Sequence, residues 1–161
     1  MNITVDQVFQ ATPEVHDLIS ELNDVLGAAY EAHQRHGLSI EQLFEPHVRF
    51  FLARLDGIAV GCGGVAVFDD YAEVKRMYTR PSVRGRGLAK GLLRRIEEDA
   101  RAAGKSVLRL ETGIHQQEAI GLYKSMRFRP CGPFGPYSAM PARKIEMSLF
   151  YEKVLDQVGG C

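Results

Sequence analysis

The chain has 161 residues, 45% of them hydrophobic and 25% charged, which is enough for one domain with its own core. Its 20 Lys and Arg residues balance 20 Asp and Glu residues, so no net charge attracts nucleic acid or an anionic membrane. No apolar run approaches the roughly 20 residues that span a bilayer. The N-terminus also lacks a signal-peptide pattern. We therefore expect a single cytoplasmic domain over residues 1–161, with neither nucleic acid nor a membrane as a partner.

The cysteines and histidines do not indicate a metal site. Cys62, Cys131 and Cys161 are an odd number without CxxC or Cys/His ligand spacing. We interpret them as free thiols in a reducing compartment, with Cys161 on a disordered terminus. His33 and His36 have helical spacing, but no third ligand is evident, so solvated helix positions are favoured over a metal pair. No metal cofactor is predicted.

The N-terminal part predicts one strand and two helices. The strand covers Ile3–Phe9. Thr12-Pro13-Glu14 then has the features of a helix start: a capping hydroxyl, proline at the first helical position and a carboxylate at the positive end of the dipole. Apolar residues recur at helical spacing from Val15 to Ala29. A shorter helix is predicted over Ile40–Phe44.

Three strand-like runs follow, which predict a meander of hairpins. They are Val48–Leu55, Ile58–Phe68 and Ala72–Thr79, separated by Asp56-Gly57 and Asp69-Asp70. The glycines around Cys62 indicate a close backbone approach or a bulge, and Cys62 itself is interpreted as a small packed residue.

The C-terminal half alternates helices and strands. A stripe from Leu88 to Ala103, closed by Gly104, predicts a helix, and Val107–Thr112 predicts a strand. Ala119 to Met126 marks another helix, and a Gly/Pro-rich loop, Pro130–Pro141, leads to a last strand near Ile145–Tyr151. This order predicts an α/β protein with a mixed sheet and one strand–helix–strand crossover.

The segment between the third strand of the meander and the next helix has the features of an anion site. Gly85 and Gly87 permit a tight turn with uncovered N–H groups, the helix N-terminus adds partial positive charge, and Arg84 and Arg86 add full charges. A pyrophosphate would fit such a site. The Rossmann spacing fails because position 90 is Lys, and the Walker spacing fails because position 99 is Asp.

The motif R-x-x-G-x-A, from Arg84 to Ala89, resembles the phosphate loop of the GCN5-related N-acetyltransferase (GNAT) superfamily, whose pattern is Q/R-x-x-G-x-G/A. A strand ending in MYTRP precedes it, and a helix with the sequence AIGLYKSMRF follows. The resemblance covers Ala72–Arg129 and indicates a small bacterial-type member that uses acetyl-CoA. It implies a mixed, mostly antiparallel twisted sheet with helices on both faces. In that fold the strands Ala72–Thr79 and Val107–Thr112 splay apart to admit the cofactor.

The resemblance also implies roles for individual residues. The backbone of the strand end would contact the pantetheine arm and the acetyl carbonyl, through Met77, Tyr78 and Thr79. Main-chain N–H groups of the loop would hold the pyrophosphate, through Arg84, Gly85, Arg86, Gly87, Leu88 and Ala89. Gln116 stands where many members have an Asn that touches the pantetheine.

Two residues are the catalytic candidates that the resemblance implies. Tyr123 matches the tyrosine that lies near the CoA sulfur and can protonate the leaving thiolate, which also makes it the eleventh predicted cofactor-binding residue. Glu73 falls where some members carry the general base. Without the resemblance, Glu73 could be a strand residue paired with Lys75 or Arg76, and Tyr123 could be a core tyrosine. His115 lies at the expected edge of the cofactor site. The predicted chemistry is direct acetyl transfer, assisted by a carboxylate and a backbone N–H, without a nucleophilic enzyme residue.

The acceptor is predicted to be a small-molecule amine or an amino acid. Phe134-Gly135-Pro136-Tyr137 resembles the FGxY stretch of small bacterial members with such acceptors. We expect the Pro130–Pro141 loop and the N-terminal helices to line the acceptor pocket, with Tyr30, Phe134 and Tyr137 as contacts. Two alternatives remain open: a protein lysine or N-terminal acetyltransferase, and a CoA-binding sensor without turnover. The oligomeric state, including a homodimer, also stays open.

Overall fold

The computed structural model describes residues 1–156, so the prediction for Cys161 lies outside the described residues. Seven strands form one sheet in the order β1-β2-β3-β4-β5-β7-β6. The strands are β1 (Ile3–Val8), β2 (Val48–Leu55), β3 (Ile58–Val67), β4 (Ala72–Thr79), β5 (Val107–Gly113), β6 (Arg129–Cys131) and β7 (Ser148–Val154). The helices are α1 (Pro13–Ala29), α2 (Ile40–Leu43), α3 (Leu88–Ala102), α4 (Gln117–Ser125) and α5 (Ala142–Ile145).

The predicted mixed, mostly antiparallel sheet with helices on both faces is confirmed. β1 to β4 are an antiparallel meander, β4 and β5 are parallel, and β5, β7 and β6 are again antiparallel. Alternation along β2 assigns the two faces. Phe51 packs in the cluster that contains α3 and α4, and Phe50 packs in the cluster that contains α1 and α2.

The parallel pair β4 and β5 separates almost at once. The two strands pair only at Ala72 with Leu108 and at Glu73 with Arg109. Beyond these residues both strands continue, β4 to Thr79 and β5 to Gly113, without pairing to each other. The separation leaves one edge of β4 without a partner strand, so its backbone groups are free to bind something else.

A bulge in β4 accompanies this separation. The register between β3 and β4 shifts between Cys62 and Gly64, and Arg76 adopts a left-handed φ of 55°. Such a conformation is strained for a residue with a Cβ. Gly63 lies opposite the bulge, where a Cβ would overlap the Met77 sulfur. The bulge predicted from the glycines is therefore confirmed.

The two long helices begin where the sequence predicts, α1 at Pro13 and α3 at Leu88. Thr12 Oγ1 accepts a hydrogen bond from the Val15 N–H, and Glu14 in the first turn of α1 pairs with Arg54 on β2. Gly104, just after α3, has a φ of 78°, as expected for a helix-terminating glycine. No helix within residues 1–156 is both long and apolar enough to cross a membrane.

Three predictions along the chain are wrong. The Pro130–Pro141 loop contains the end of a strand that we did not predict, β6; Pro130 is tolerated there because β6 is an edge strand. The last strand begins at Ser148 rather than near Ile145, because residues 142–145 form α5. The histidines are not on a helix: α1 ends at Ala29, His33 lies in the 3₁₀ turn at Ala32–Gln34, and His36 follows that turn.

The packing of α3 on the sheet should dominate stability. Leu93 on α3 is fully buried, so Leu93→Ala should lower the free energy of unfolding by about 3 kcal/mol through lost burial and a residual cavity. Ile58→Ala, at a mostly exposed position on β3, is the control and should change it little. Urea unfolding of the two variants measures the difference, and equal losses would contradict this assignment of the core.

Candidate active site

A large groove lies beside the unpaired edge of β4. Its volume is about 830 Å³, which is in the range of ligand pockets. Four segments line it: the second half of α1, the end of β4, the loop leading into α3, and the start of α4. Ten of the eleven residues predicted to bind the cofactor line this groove: Met77, Tyr78, Thr79, Arg84, Gly85, Gly87, Leu88, Ala89, Gln116 and Tyr123.

The loop before α3 has the geometry of an anion site. Gly85 and Gly87 have φ values of 83° and 86°, which side-chain-bearing residues rarely adopt. Gly87 is the N-cap of α3 and offers no side-chain cap, so N–H groups of the first turn are left for a ligand. Arg84 lines the groove and pairs with Glu118 at 2.8 Å, whereas Arg86 is exposed and is not part of the groove wall.

A small cavity of about 110 Å³ adjoins the groove between the separated strands. The two spaces share five wall residues: Leu22, Met77, Gln116, Ala119 and Tyr123. The remaining wall of the small cavity comes from β4 residues 73–76, β5 residues 111–113, Leu26 on α1, and residues 30 and 34–37 after α1. A molecule in the groove and another in the small cavity would therefore meet near Tyr123.

Tyr123 is held as a neutral phenol at this junction. Its side chain is only 4% exposed and packs edge-on against Phe128. Burial raises the pKa of Tyr123, and the charge of Glu111 raises it further. The hydroxyl therefore keeps its proton at neutral pH and can serve as a proton donor. Both interpretations of Tyr123 from the sequence are compatible with this position, because it is a core residue that also reaches both cavities.

Tyr30 connects the end of α1 to the start of α4. Its hydroxyl donates to Gln116 Oε1 at 3.2 Å and accepts from the His115 N–H at 2.9 Å. Its ring also stacks on the His115 ring, and a Cβ at Gly113 would overlap the Tyr30 hydroxyl. Burial raises the pKa of Tyr30, which therefore stays protonated. Tyr30 thus lines the small cavity, and His115 lines the groove.

Glu73 is part of a buried ion network on the wall of the small cavity. It is 2% exposed, and its Oε2 accepts from Lys75 Nζ at 2.9 Å and from the Tyr137 hydroxyl at 2.7 Å. Lys75 Nζ also donates to the Tyr137 hydroxyl at 3.0 Å. The pairing of Glu73 with Lys75, one of the alternatives from the sequence, is present. The same pairing holds Glu73 beside the cavity.

A second carboxylate, Glu111, faces the same cavity from β5. Its Oε2 accepts from Ser148 Oγ at 2.6 Å. Burial raises the pKa of Glu111, while the Ser148 hydrogen bond and the charges of His36 and Lys75 oppose the rise. A carboxylate with a raised pKa is a stronger base than an ordinary one. Glu111 is not among the residues predicted from the sequence, although a charged residue alternating with Leu108 and Leu110 on a short strand was a usable signal.

The aromatic residues of the Pro130–Pro141 loop lie behind the cavity wall. Phe134 and Tyr137 pack in a buried cluster with Tyr71 and Phe150, and neither lines the groove or the small cavity. Tyr137 reaches the site only through its hydrogen bond to Glu73. The wall expected from this loop is formed instead by residues 34–37.

The buried thiol of Cys62 is not available as a nucleophile. Cys62 is fully buried, and burial raises its pKa to about 12, so the thiolate is not populated at neutral pH. Its Sγ donates to the Arg76 carbonyl, in agreement with the interpretation of Cys62 as a packed residue. Among the residues that the structure describes, no three His, Cys, Asp or Glu side chains are grouped to hold a metal ion.

Comparisons with known proteins agree with this geometry. Residues 14–128 match the model of the acetyltransferase (GNAT) family. A protein of Azospirillum brasilense named IAA acetyltransferase is 44% identical over 156 residues, which cover 96% of this chain and 99% of that protein. An uncharacterized N-acetyltransferase of Bacillus subtilis, YsnE, is 36% identical over 109 residues, covering 66% of this chain and 72% of that protein.

Solved structures share the fold. A Klebsiella pneumoniae protein described as an acyl-CoA N-acyltransferase superposes with a TM-score of 0.76 at 33% identity, covering 96% of this chain and 98% of that one. A GNAT acetyltransferase of Elizabethkingia anophelis, solved with acetyl-CoA bound, has a TM-score of 0.68 at 19% identity and covers 96% and 99% of the two chains. With the family model matching most of its length, the chain belongs to the acetyltransferase (GNAT) family and is an acyltransferase.

Proposed function

We propose that the protein transfers an acetyl group from acetyl-CoA to the amine of a small-molecule acceptor. The observation that carries this proposal is the junction of the groove and the small cavity at Tyr123. The groove is lined by a phosphate-type loop and by Tyr123, and only Tyr123 of these also lines the small cavity, which suits a long anionic thioester substrate. The small cavity, beyond the junction, suits the acceptor.

The groove fits the proposed donor chemically as well as by volume. The free N–H groups at the start of α3 suit the pyrophosphate, and the unpaired edge of β4 at Met77 to Thr79 suits an amide-rich arm. Acetyl-CoA would supply the activated acetyl group. Gln116, whose amide is fixed by Tyr30, is placed to add a hydrogen bond at the junction.

The size of the small cavity favours a small acceptor. Its volume is about 110 Å³, and a cavity of about 150 Å³ holds benzene. The relative with 44% identity is named for IAA rather than for a protein, which supports the same choice. A protein lysine or N-terminus remains the second candidate for the acceptor.

The chain supplies groups for both proton transfers of such a reaction. As the acceptor nitrogen bonds to the acetyl carbon, the bond between that carbon and the sulfur would break. The nitrogen would lose a proton to a carboxylate, and the sulfur would take a proton from the Tyr123 hydroxyl. Proton exchange with solvent would then return the carboxylate and Tyr123 to their starting states. We assign the proton acceptor to Glu111. Glu73 already has two donors on Oε2, whereas Glu111 has one donor and a raised pKa. The products are the N-acetylated acceptor and free CoA thiol.

Acetyl-CoA should raise the melting temperature, since it binds only the native state; at one hundred times its Kd the gain is about 2.7 kcal/mol. Gly87→Val should abolish this shift, because a β-branched residue at a φ of 86° distorts the phosphate loop. Gly104→Val is the matched control: it places the same strain at the other end of α3, away from the groove. Differential scanning fluorimetry measures both, and an unchanged shift in Gly87→Val would remove the loop from the proposed site.

Turnover is tested by release of CoA thiol across a panel of small amines and lysine peptides. We expect turnover with at least one small amine. Binding of acetyl-CoA without turnover on any acceptor would favour the sensor alternative, and turnover with peptides alone would favour a protein acceptor.

Tyr123→Phe should lower kcat by about 10²-fold, because the hydroxyl donates its proton only as charge develops on the sulfur. The ring contact with Phe128 is retained, so the affinity for acetyl-CoA and the melting temperature should change little. Single-turnover kinetics separate the chemical step from product release. An unaltered chemical step would leave Tyr123 with a packing role alone.

Glu111→Gln should lower kcat by about 10²-fold or more with little change in stability. Glu73→Gln should lower the free energy of unfolding more than it affects kcat. It leaves Lys75 buried without its partner, which costs about 3 kcal/mol of stability, with a smaller loss of kcat. Glu98→Gln, at an exposed position on α3, is the control. Paired kcat and urea-unfolding measurements decide the assignment, which is reversed if Glu73→Gln gives the larger loss of kcat.

A further inference from the structure

Arg76 has an unusual environment on the wall of the small cavity. Its Nε is the one buried side-chain nitrogen or oxygen within residues 1–156 that lacks a hydrogen-bond partner. Its Nη2 donates to Asn23 Oδ1, and no carboxylate of the described part of the chain forms an ion pair with it. A partly buried guanidinium without an anion is costly, so a bound anion would stabilise it.

The backbone is built to hold Arg76 in this position. Arg76 is the bulge residue of β4, and bulges re-aim side chains next to active sites. Its strained φ persists because the surrounding structure fixes it. Gly37 leaves room for the guanidinium, since a Cβ there would overlap Arg76 Nη1. The bulge at Arg76 and the space left by Gly37 together place the Arg76 guanidinium at the cavity.

A second cation lies beside the first. Arg35 lines the same cavity and has no ion pair among residues 1–156. Burial lowers the pKa of Arg76, and the neighbouring charge of Arg35 lowers it further. Two arginines that repel each other at one cavity form a site suited to a carboxylate, which guanidinium groups bind in a bidentate manner.

The cavity carries the opposite charge on another part of its wall. Glu73 and Glu111 line it, and the Lys75 ammonium is already engaged by Glu73 and the Tyr137 hydroxyl. Neither carboxylate pairs with Arg76 or Arg35. The small cavity thus presents two unpaired cations and a carboxylate of raised pKa to the same ligand.

We propose that the acceptor is an amino acid or another short amino carboxylate, with Arg76 and Arg35 binding its carboxylate and Glu111 receiving the proton of its amine. This proposal rests on the proposed function and specifies its acceptor. It also explains why the cavity is small and charged on two sides, since a zwitterion needs partners for both of its ends.

The test compares matched acceptors that differ only in the carboxylate. CoA-thiol release is measured for the common L-amino acids and for their primary carboxamides, which keep the amine and remove the negative charge. The wild-type protein should prefer the best acid over its amide by about 10- to 100-fold in kcat/KM, the value of a charge-assisted hydrogen-bonded pair. Equal use of acids and amides would overturn the proposal.

Variants then locate the preference. Arg76→Gln and Arg35→Gln should each reduce the preference for the acid, mainly through its KM, because kcat/KM for the acid should fall more than kcat/KM for the amide. Arg35 is exposed, so its variant should fold even if Arg76→Gln does not. Arg94→Gln, at an exposed position on α3, is the matched control and should keep the full preference. A preference that survives both cavity variants would overturn the assignment.

A binding measurement makes the test independent of turnover. N-acetyl-L-amino acids and their amides are titrated into the CoA-loaded protein by calorimetry. The acids should bind more tightly than the amides, and the difference should shrink in Arg35→Gln; no difference in the wild type would overturn the proposal. The absence of any thermal shift with acetyl-CoA would instead overturn the proposed function, so the two failures are distinguishable.

Discussion

The separation of β4 from β5 is the constraint on which the rest of the site depends. Two residue pairs join the strands, and beyond them the edge of β4 has no partner strand. Unpaired backbone groups are costly when buried away from water, so the gap persists only where solvent or a ligand can reach it. The groove and the small cavity occupy this region, and the candidate catalytic groups come from the strands and helix around it.

The titratable groups around the gap are stabilised in different ways. Glu73 is buried with Lys75 and the Tyr137 hydroxyl as partners, which satisfies its charge within the fold. Tyr123 is buried in its neutral form, because burial favours the protonated phenol. Arg76 is stabilised in neither of these ways, because it stays charged and has no carboxylate partner among the described residues. Arg76 is therefore the group whose charge, under our proposal, is stabilised by the carboxylate of a bound acceptor.

Local chain geometry could be predicted from the sequence because it depends on neighbours in the chain. Thr12 and Pro13 start α1, Gly104 follows the end of α3, and the turn glycines 85 and 87 adopt the left-handed conformation that the phosphate-loop motif requires. The mixed sheet also followed from the order of the periodic segments. The strand at Arg129–Cys131 did not, because three residues containing a proline become a strand only through pairing with β7.

The sequence by itself determined the fold and the family and indicated the loop that we propose for the donor, since these rest on contiguous motifs whose backbone geometry is local. Only the tertiary structure brings together the residues that we propose for the acceptor. Glu111, Arg76 and Arg35 lie on two strands and a loop far apart in the chain, and they meet because the strands separate and a bulge turns Arg76. The positions of Phe134 and Tyr137 also depend on the tertiary structure. Their aromatic rings pack more favourably in a buried cluster than on a cavity wall, since burial removes apolar area from water.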